Sequence, residues 1–211
     1  MREISPAVDL SCEDFLECMP GLRPVVVRIR RQKAEGSRPR PSHSLIDKSA
    51  VLSSDQRAKL LDKVAELVDE NLCGRSEMCQ QFADLLQRAL GHLGVKARIA
   101  SGTSVYYDPN GQTIFRWKGD GHHWVVVGDE CIDGNLDSLF ENPEVPDTVN
   151  AQPYWGPKKD SPKDRKYIEN PGARTLEPDP DVENIWWPEL RTWLEQHIRV
   201  TASLPTTSAI Q

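Results

Sequence analysis

Between residues 53 and 135 the sequence changes from helical to strand periodicity once and does not change back. Apolar residues first recur at helical spacing in two segments, residues 53–72 and 77–92. Ser53 followed by Gln56 is a capping-box pattern that marks the start of the first helix. Strand-like segments follow, separated by turn residues, at 95–100, 103–107, 112–117, 122–127 and 130–135. Two helices followed by an antiparallel meander predict an α+β domain in which the helices cover one small sheet.

The last two strand segments are joined by Gly128-Asp129, which fits a two-residue hairpin turn of type II′. Because side chains alternate between the faces of a strand, this turn places His122 and Asp133 on one face and His123 on the other. Asp133 is diagonal to His122, within reach of a side chain across the pair. A slip of one residue would instead bring Asp133 to the face of His123. The hairpin therefore predicts a His122–Asp133 pair.

Cys79 falls in the first turn of the second predicted helix. Peptide N–H groups are unpaired there and the helix dipole favours negative charge, so a thiol at this position gains thiolate character. Considered alone, Cys79 is better explained as a small apolar residue of a buried helix face, because free cysteine is among the most buried residue types. The hairpin changes this balance, because a histidine held by a carboxylate is the usual activator of a thiol nucleophile. We predict Cys79 as nucleophile, His122 as its base and Asp133 as the group that orients the base.

The same residues lie in a longer pattern within about residues 71–140. Its segments are Cys79-Gln-Gln-Phe-Ala-Asp-Leu-Leu, Leu93-Gly-Val-Lys-Ala-Arg, Gly121-His-His-Trp-Val-Val-Val and Ile132-Asp-Gly-Asn. This pattern resembles the transglutaminase-like superfamily, which belongs to the papain-like cysteine enzymes. The resemblance implies Cys79 as nucleophile, His122 as base, since Trp124 holds the family's tryptophan position, and Asp133 as the acid. The pattern departs at Glu77, where many relatives carry the glycine of Gly-x-Cys.

The resemblance implies an α+β fold with a papain/transglutaminase-like core, in which the nucleophile helix packs on a small antiparallel sheet. It also implies acyl transfer through a thioester at Cys79, and the sequence contains no cofactor motif. We expect a cysteine hydrolase that cleaves an amide in a protein or peptide, as a protease or a glutamine deamidase, and a toxin or effector is one setting that suits it. An amine-accepting transglutaminase and a non-catalytic binding module stay open, because one scaffold hosts several reactions.

Residues around the predicted triad are expected to contact the substrate. Trp117 and Trp124 are candidates for the walls of a substrate groove, and Gln80 directly follows the nucleophile. The backbone N–H of Cys79 is one expected oxyanion donor, and a side-chain donor from Gln80 or Asn71 stays open.

No metal site is predicted near the hairpin. Four side chains with metal-ligating chemistry lie close together in sequence: His122, His123, Cys131 and Asp133. Adjacent residues of a strand point to opposite faces, so these side chains cannot all converge on one ion.

Composition narrows the classes of partner. The formal net charge of −6 argues against a general affinity for nucleic acid, and no apolar run approaches the roughly 18 residues that cross a membrane. Five cysteines without C-x-x-C spacing, and an N-terminus without an apolar signal region, indicate a protein made in the reducing cytoplasm with free thiols. Export without a classical signal stays open. The expected partner is a protein or peptide substrate.

Three regions are predicted along the chain. Residues 1–48 form an N-terminal extension with a basic linker and an edge strand at 24–31. Residues 49–145 form the catalytic core. Residues 146–211 form a long proline-rich loop and a C-terminal helix, at about 185–200, that packs on the core.

Overall fold

A computed structural model describes residues 44–45, 52–69, 75, 77–141, 145–146, 148–172 and 177–198. These residues form an α+β fold with one small sheet, and the predicted strand at 24–31 lies outside them. In chain order the elements are β1 (Ser44–Leu45), α1 (Ser54–Val68), α2 (Cys79–His92), β2 (Arg98–Tyr107), β3 (Thr113–Val127), β4 (Glu130–Asp133), a 3-10 helix (Leu136–Glu141), β5 (Tyr154–Pro157), a second 3-10 helix (Lys158–Asp160), β6 (Arg165–Glu169), a π-helical turn (Val182–Trp186) and α3 (Trp187–His197).

The first helix, α1, begins as its capping box predicts. The Ser53 hydroxyl accepts a hydrogen bond from the Gln56 N–H at 3.2 Å, and the Gln56 side chain accepts one from the Ser53 N–H at 2.9 Å. Two orphan donors at the helix start are thereby satisfied. The helix ends at Val68, earlier than the predicted residue 72.

The second helix, α2, begins at Cys79 itself, two residues later than predicted. Its N-cap is Met78, which makes no side-chain capping bond. The buried face includes Phe82 and Leu86, so packing on the sheet rather than a cap holds this helix in place.

The sheet has the strand order β1-β5-β4-β3-β2-β6, in which β1 pairs parallel and the other neighbours pair antiparallel. The prediction of a turn at Ser101-Gly102 is wrong, because β2 runs unbroken through it. Gly102 serves close packing there: a Cβ on it would lie 2.2 Å from the carbonyl oxygen of Ile168 in β6. The predicted loop at 118–121 is likewise part of the continuous strand β3.

The hairpin of β3 and β4 has the predicted register. Val127 pairs with Glu130, and Val125 pairs with Ile132. Gly128 has φ of 59°, as a turn with glycine in the first central position requires. The predicted hairpin is confirmed.

The prediction of a long proline-rich loop between residue 146 and the C-terminal helix is wrong in part, because two strands lie within it. Strand β5 pairs with β4, and β6 pairs with β2 on the other side of the sheet. Both strands are short and β5 ends in a proline, so their pairing depends on partners that are distant in sequence. The predicted C-terminal helix is present as α3, after the π-helical turn.

Both faces of the sheet are apolar. One face packs against the three α-helices through Val125, Ile132 and Trp155. On the other face a second cluster contains Ala100, Trp124, Cys131, Tyr154 and Tyr167. His122 and Asp133 share the parity of Trp124 and Cys131, so they lie with this second cluster. In the part of the chain with described structure, no helix is long and apolar enough to cross a membrane.

Candidate active site

The thiol of Cys79 lies at the N-terminal end of α2, against the strand that carries His122. Its Sγ is 3.8 Å from the carbonyl oxygen of Gly121, to which the thiol donates a weak hydrogen bond. The residue is partly exposed. As the first residue of α2, Cys79 has a backbone N–H with no acceptor inside the helix, so this N–H points out of the helix end.

His122 and Asp133 form a buried pair. The His122 Nε2 and the Asp133 Oδ2 are 2.7 Å apart, and the two residues are 4% and 1% exposed. Since Nε2 is engaged by the carboxylate, Nδ1 is the ring nitrogen left for the thiol. The alternation of β3 directs the ring of His122, and not that of His123, to the carboxylate.

The environment of His122 favours its charged form. Burial by itself lowers the pKa of His122, but the charge and hydrogen bond of Asp133, with a contribution from Cys79, raise it from 6.5 to about 10. The imidazole therefore holds its second proton at neutral pH. An imidazolium beside a thiolate is the state in which a cysteine nucleophile is poised to react.

Two aromatic side chains pack against the His122 ring and hold the His122–Asp133 pair in place. The His122 ring stacks on Trp124 with centroids 5.9 Å apart and on Tyr167 with centroids 6.3 Å apart. The Tyr167 hydroxyl donates a hydrogen bond to the Asp133 Oδ2 at 2.9 Å. Burial, with the charge of Asp133, raises the pKa of Tyr167 well above its ordinary value, so this hydroxyl stays a donor. The carboxylate thus accepts from both partners at one oxygen.

A cleft opens beside the thiol. Cys79, Gly121 and His122 form one side of it, and the 3-10 helix at 136–141 contributes Ser138 and Leu139 to its lining. Trp117 lines the same cleft and is partly exposed. The reactive groups are therefore reachable from solvent although the histidine and aspartate are buried.

The structure separates the predicted substrate contacts. Trp117 lines the cleft, and its contact with a substrate stays a prediction. The prediction for Trp124 is corrected, because this residue is 1% exposed and supports the His122 ring from within the core. The Gln80 amide donates to the carbonyl oxygen of Glu177 at 3.3 Å, and Gln80 does not border the cleft. The alternative donor Asn71 lies outside the described residues.

A buried arginine joins the two walls of the cleft. The Arg75 guanidinium donates to the Asn135 Oδ1 at 2.9 Å and pairs with Asp137, while the Asn135 amide donates to the Arg75 carbonyl at 3.1 Å. The Arg75 N–H also bonds the carboxylate of Glu141. Because Arg75 precedes Cys79 and Asn135 follows Asp133, this network ties the nucleophile loop to the end of the aspartate strand.

Two residues of the site were missed at the sequence level. Tyr167 lies in β6, whose alternation in Arg165–Glu169 was overlooked within a proline-rich region. Arg75 lies in the short connection between helices, and no local pattern marks a buried arginine there.

Among the described residues, neither the other cysteine nor the acidic side chains form a second reactive site or a metal site. Cys131 is 1% exposed, and burial raises the pKa of its thiol above its ordinary range. Over the described ranges, no group of three or more His, Cys, Asp or Glu side chains could hold a metal ion.

No family model and no curated protein matches the sequence. Among solved structures, a crystal structure titled only as a genomics target matches with a TM-score of 0.49 and 15% sequence identity. The match covers 74% of this chain and 85% of that one. A likeness at this level indicates neither a fold family nor an activity.

Proposed function

We propose that this protein is a cysteine hydrolase with a papain/transglutaminase-like core, which cleaves an amide in a protein or peptide through a thioester at Cys79. One observation carries the proposal. The Cys79 thiol, at the N-terminus of α2, lines a cleft together with His122. The Nε2 atom of His122 is 2.7 Å from the buried carboxylate of Asp133. This arrangement has the geometry of an activated nucleophile with an oriented base.

In the proposed reaction, the Cys79 sulfur attacks the amide carbonyl carbon and the carbonyl π electrons move to oxygen. The Cys79 backbone N–H stabilises this oxyanion, and Ser138 is a side-chain donor that lines the same cleft. The C–N bond then breaks while His122 gives its Nδ1 proton to the leaving amine, which leaves a thioester.

Deacylation returns the enzyme to its starting state. Water attacks the thioester carbonyl while the neutral His122 takes one of its protons. The C–S bond breaks, the carboxylic acid leaves and His122 is again an imidazolium beside the thiolate. We favour water as the acceptor because it needs no binding site of its own, whereas amine transfer requires a second site.

The test is alkylation of Cys79 by iodoacetamide, followed by peptide mass spectrometry from about pH 5 to 9. We expect rapid labelling at about pH 6 that is lost in His122→Ala and retained in His123→Ala. Cys131 in the same digest is the internal control, since it is buried and its raised pKa keeps it protonated. Labelling that is slow in all three proteins and rises only in the ordinary thiol range would exclude an activated thiol and favour the binding-module alternative.

The masses of the reaction products distinguish proteolysis, deamidation and amine transfer. Incubation with candidate protein substrates and a primary amine separates three results by mass. New fragments indicate proteolysis, a gain of about 1 Da indicates replacement of an amide NH₂ by OH, and addition of the amine indicates transfer. Only the third result would replace hydrolysis by a transglutaminase activity. The variant Cys79→Ala is the control for each product.

A further inference from the structure

Glu77 has a backbone conformation that its residue type disfavours. Its φ is 66°, and it is the one non-glycine residue with positive φ within the described part of the chain. It occupies the third position of a four-residue turn, closed by a 3.1 Å hydrogen bond from the Met78 N–H to the Arg75 carbonyl. A turn with positive φ at this position takes glycine by preference, because glycine has no Cβ to clash. The turn explains the positive φ, but the presence of glutamate instead of glycine at this position needs another explanation.

The turn places Glu77 at the mouth of the cleft. Glu77 lines the cleft together with Cys79 and His122, and it is exposed. Backbone strain that the surrounding structure maintains is concentrated at functional sites. The residues on both sides hold the strained turn in place, because Arg75 is hydrogen-bonded to Asn135 and Cys79 begins a packed helix.

The charge of Glu77 is not balanced inside the cleft. Among the described residues that line it there is no lysine or arginine. The His122 cation is present, but it is already bonded to Asp133. Trp117, on the same cleft, offers an aromatic face of the kind that attracts a cation. A carboxylate and an indole beside one thiol are suited to hold an ammonium or guanidinium group.

We propose that Glu77 is the specificity-determining residue of the cleft and selects substrates that carry a cationic side chain next to the amide attacked by Cys79. This inference rests on the proposed hydrolase function. Glu77 and Cys79 are two residues apart, so their Cα atoms are within about 7 Å. The selected charge is therefore on the residue adjacent to the cleaved bond, as in a lysine- or arginine-containing sequence.

The first test uses three methanethiosulfonate reagents that modify thiols: a trimethylammonium cation, a sulfonate anion and the neutral methyl reagent. Their rates at Cys79 are read by peptide mass spectrometry, and each charged rate is divided by the neutral rate in the same protein. Removing one charge at this distance changes the two rates in opposite directions, so Glu77→Gln should lower the cation-to-anion ratio about fivefold. Asp129→Asn, an exposed carboxylate at the β3–β4 turn, is the matched control and should leave the ratio unchanged.

The second test separates charge from strain and measures hydrolysis. Peptides that differ only in lysine or norleucine beside the cleaved amide are compared by kcat/KM. Glu77→Gln and Glu77→Gly should both lower the lysine-to-norleucine ratio about tenfold, although only the glycine variant relieves the turn. A lysine preference that survives in both variants would overturn the proposal.

The two proposals fail differently. Slow reaction of Cys79 with the neutral reagent, unaffected by His122→Ala, would overturn the hydrolase function and this inference with it. Fast neutral reaction together with a cation-to-anion ratio that Glu77→Gln leaves unchanged would overturn the role of Glu77 alone.

Discussion

At the scale of single residues, the protonation of His122 decides which chemistry the cleft supports. A buried histidine without a partner is neutral at pH 7, because burial disfavours the charged form. Asp133 reverses this preference and brings the pKa of His122 to about 10. In the proposed reaction, this imidazolium is the acid that protonates the leaving amine.

The pKa of His122 can be measured directly by NMR of its ring nitrogens. We expect an imidazolium from neutral pH up to about 10, and a lower pKa in Asp133→Asn, because the charge and hydrogen bond of Asp133 no longer raise the pKa while burial still lowers it. Since the pKa is raised in the folded state, the stabilisation is fully present below the unfolded pKa of about 6.5 and is lost as the pH rises through the folded value. Urea unfolding of the wild type should therefore show a loss of stability towards pH 10 that is smaller in Asp133→Asn. A wild-type ring that titrates near 6.5 would contradict this account.

At the scale of elements, the end of β4 is held by close packing. A Cβ at Gly134 would lie 2.5 Å from the ring of Phe82 in α2 and 2.7 Å from the side chain of Leu61 in α1. Gly134 directly follows Asp133, so the same contact that seats both helices also places the carboxylate. Interior packing is dense enough that one added methyl group is felt.

We expect Gly134→Ala to lower the free energy of unfolding by about 1–3 kcal/mol, because the inserted Cβ overpacks the core. Gly91→Ala is the matched control, since a Cβ there meets nothing within 4 Å and the position is helical. That control should raise stability by up to about 1 kcal/mol through helix propensity. Urea denaturation of both variants measures the difference, and equal effects would show that the contact at Gly134 is not tight.

Local chemistry explains which elements were predictable. The capping box at Ser53 and the turn at Gly128-Asp129 act through residues that are adjacent in sequence, so α1 and the β3–β4 hairpin follow from short patterns. Strand β5 has no such pattern, since its four residues end in Pro157 and are buried only through strands and helices from other parts of the chain.

At the scale of the whole molecule, the six-stranded sheet is completed only by β5 and β6, the last two strands in the chain. Strand β5 pairs with the aspartate strand β4, and β6 pairs with β2 at the opposite edge. Tyr167 of β6 reaches Asp133, and α3 contributes Leu190 and Leu194 to the main core. The described residues that follow position 145 therefore pack in the same sheet and core as the candidate site.

A fragment of residues 49–145, the core predicted from sequence, should consequently not fold alone. We expect it to show no cooperative urea transition, because it lacks β5, β6 and α3. A fragment of residues 44–198, which keeps every described element, is the matched control and should unfold in one transition. A cooperative transition in the shorter fragment, with Cys79 labelled as in the full chain, would restore the predicted boundary.

The sequence by itself determined the three helices α1, α2 and α3, the register of the β3–β4 hairpin and the choice of Cys79, His122 and Asp133 as candidate site residues. Each of these depends on spacing within a short segment, where periodicity and turn chemistry act. Tertiary structure alone decided that Tyr167 supports Asp133, that Arg75 joins the cleft walls and that Glu77 faces the cleft at positive φ. The roles of Tyr167 and Arg75 arise from contacts between distant segments, and the positive φ of Glu77 is a conformation that glutamate disfavours. Neighbouring residues in the sequence encode neither the contacts nor this conformation.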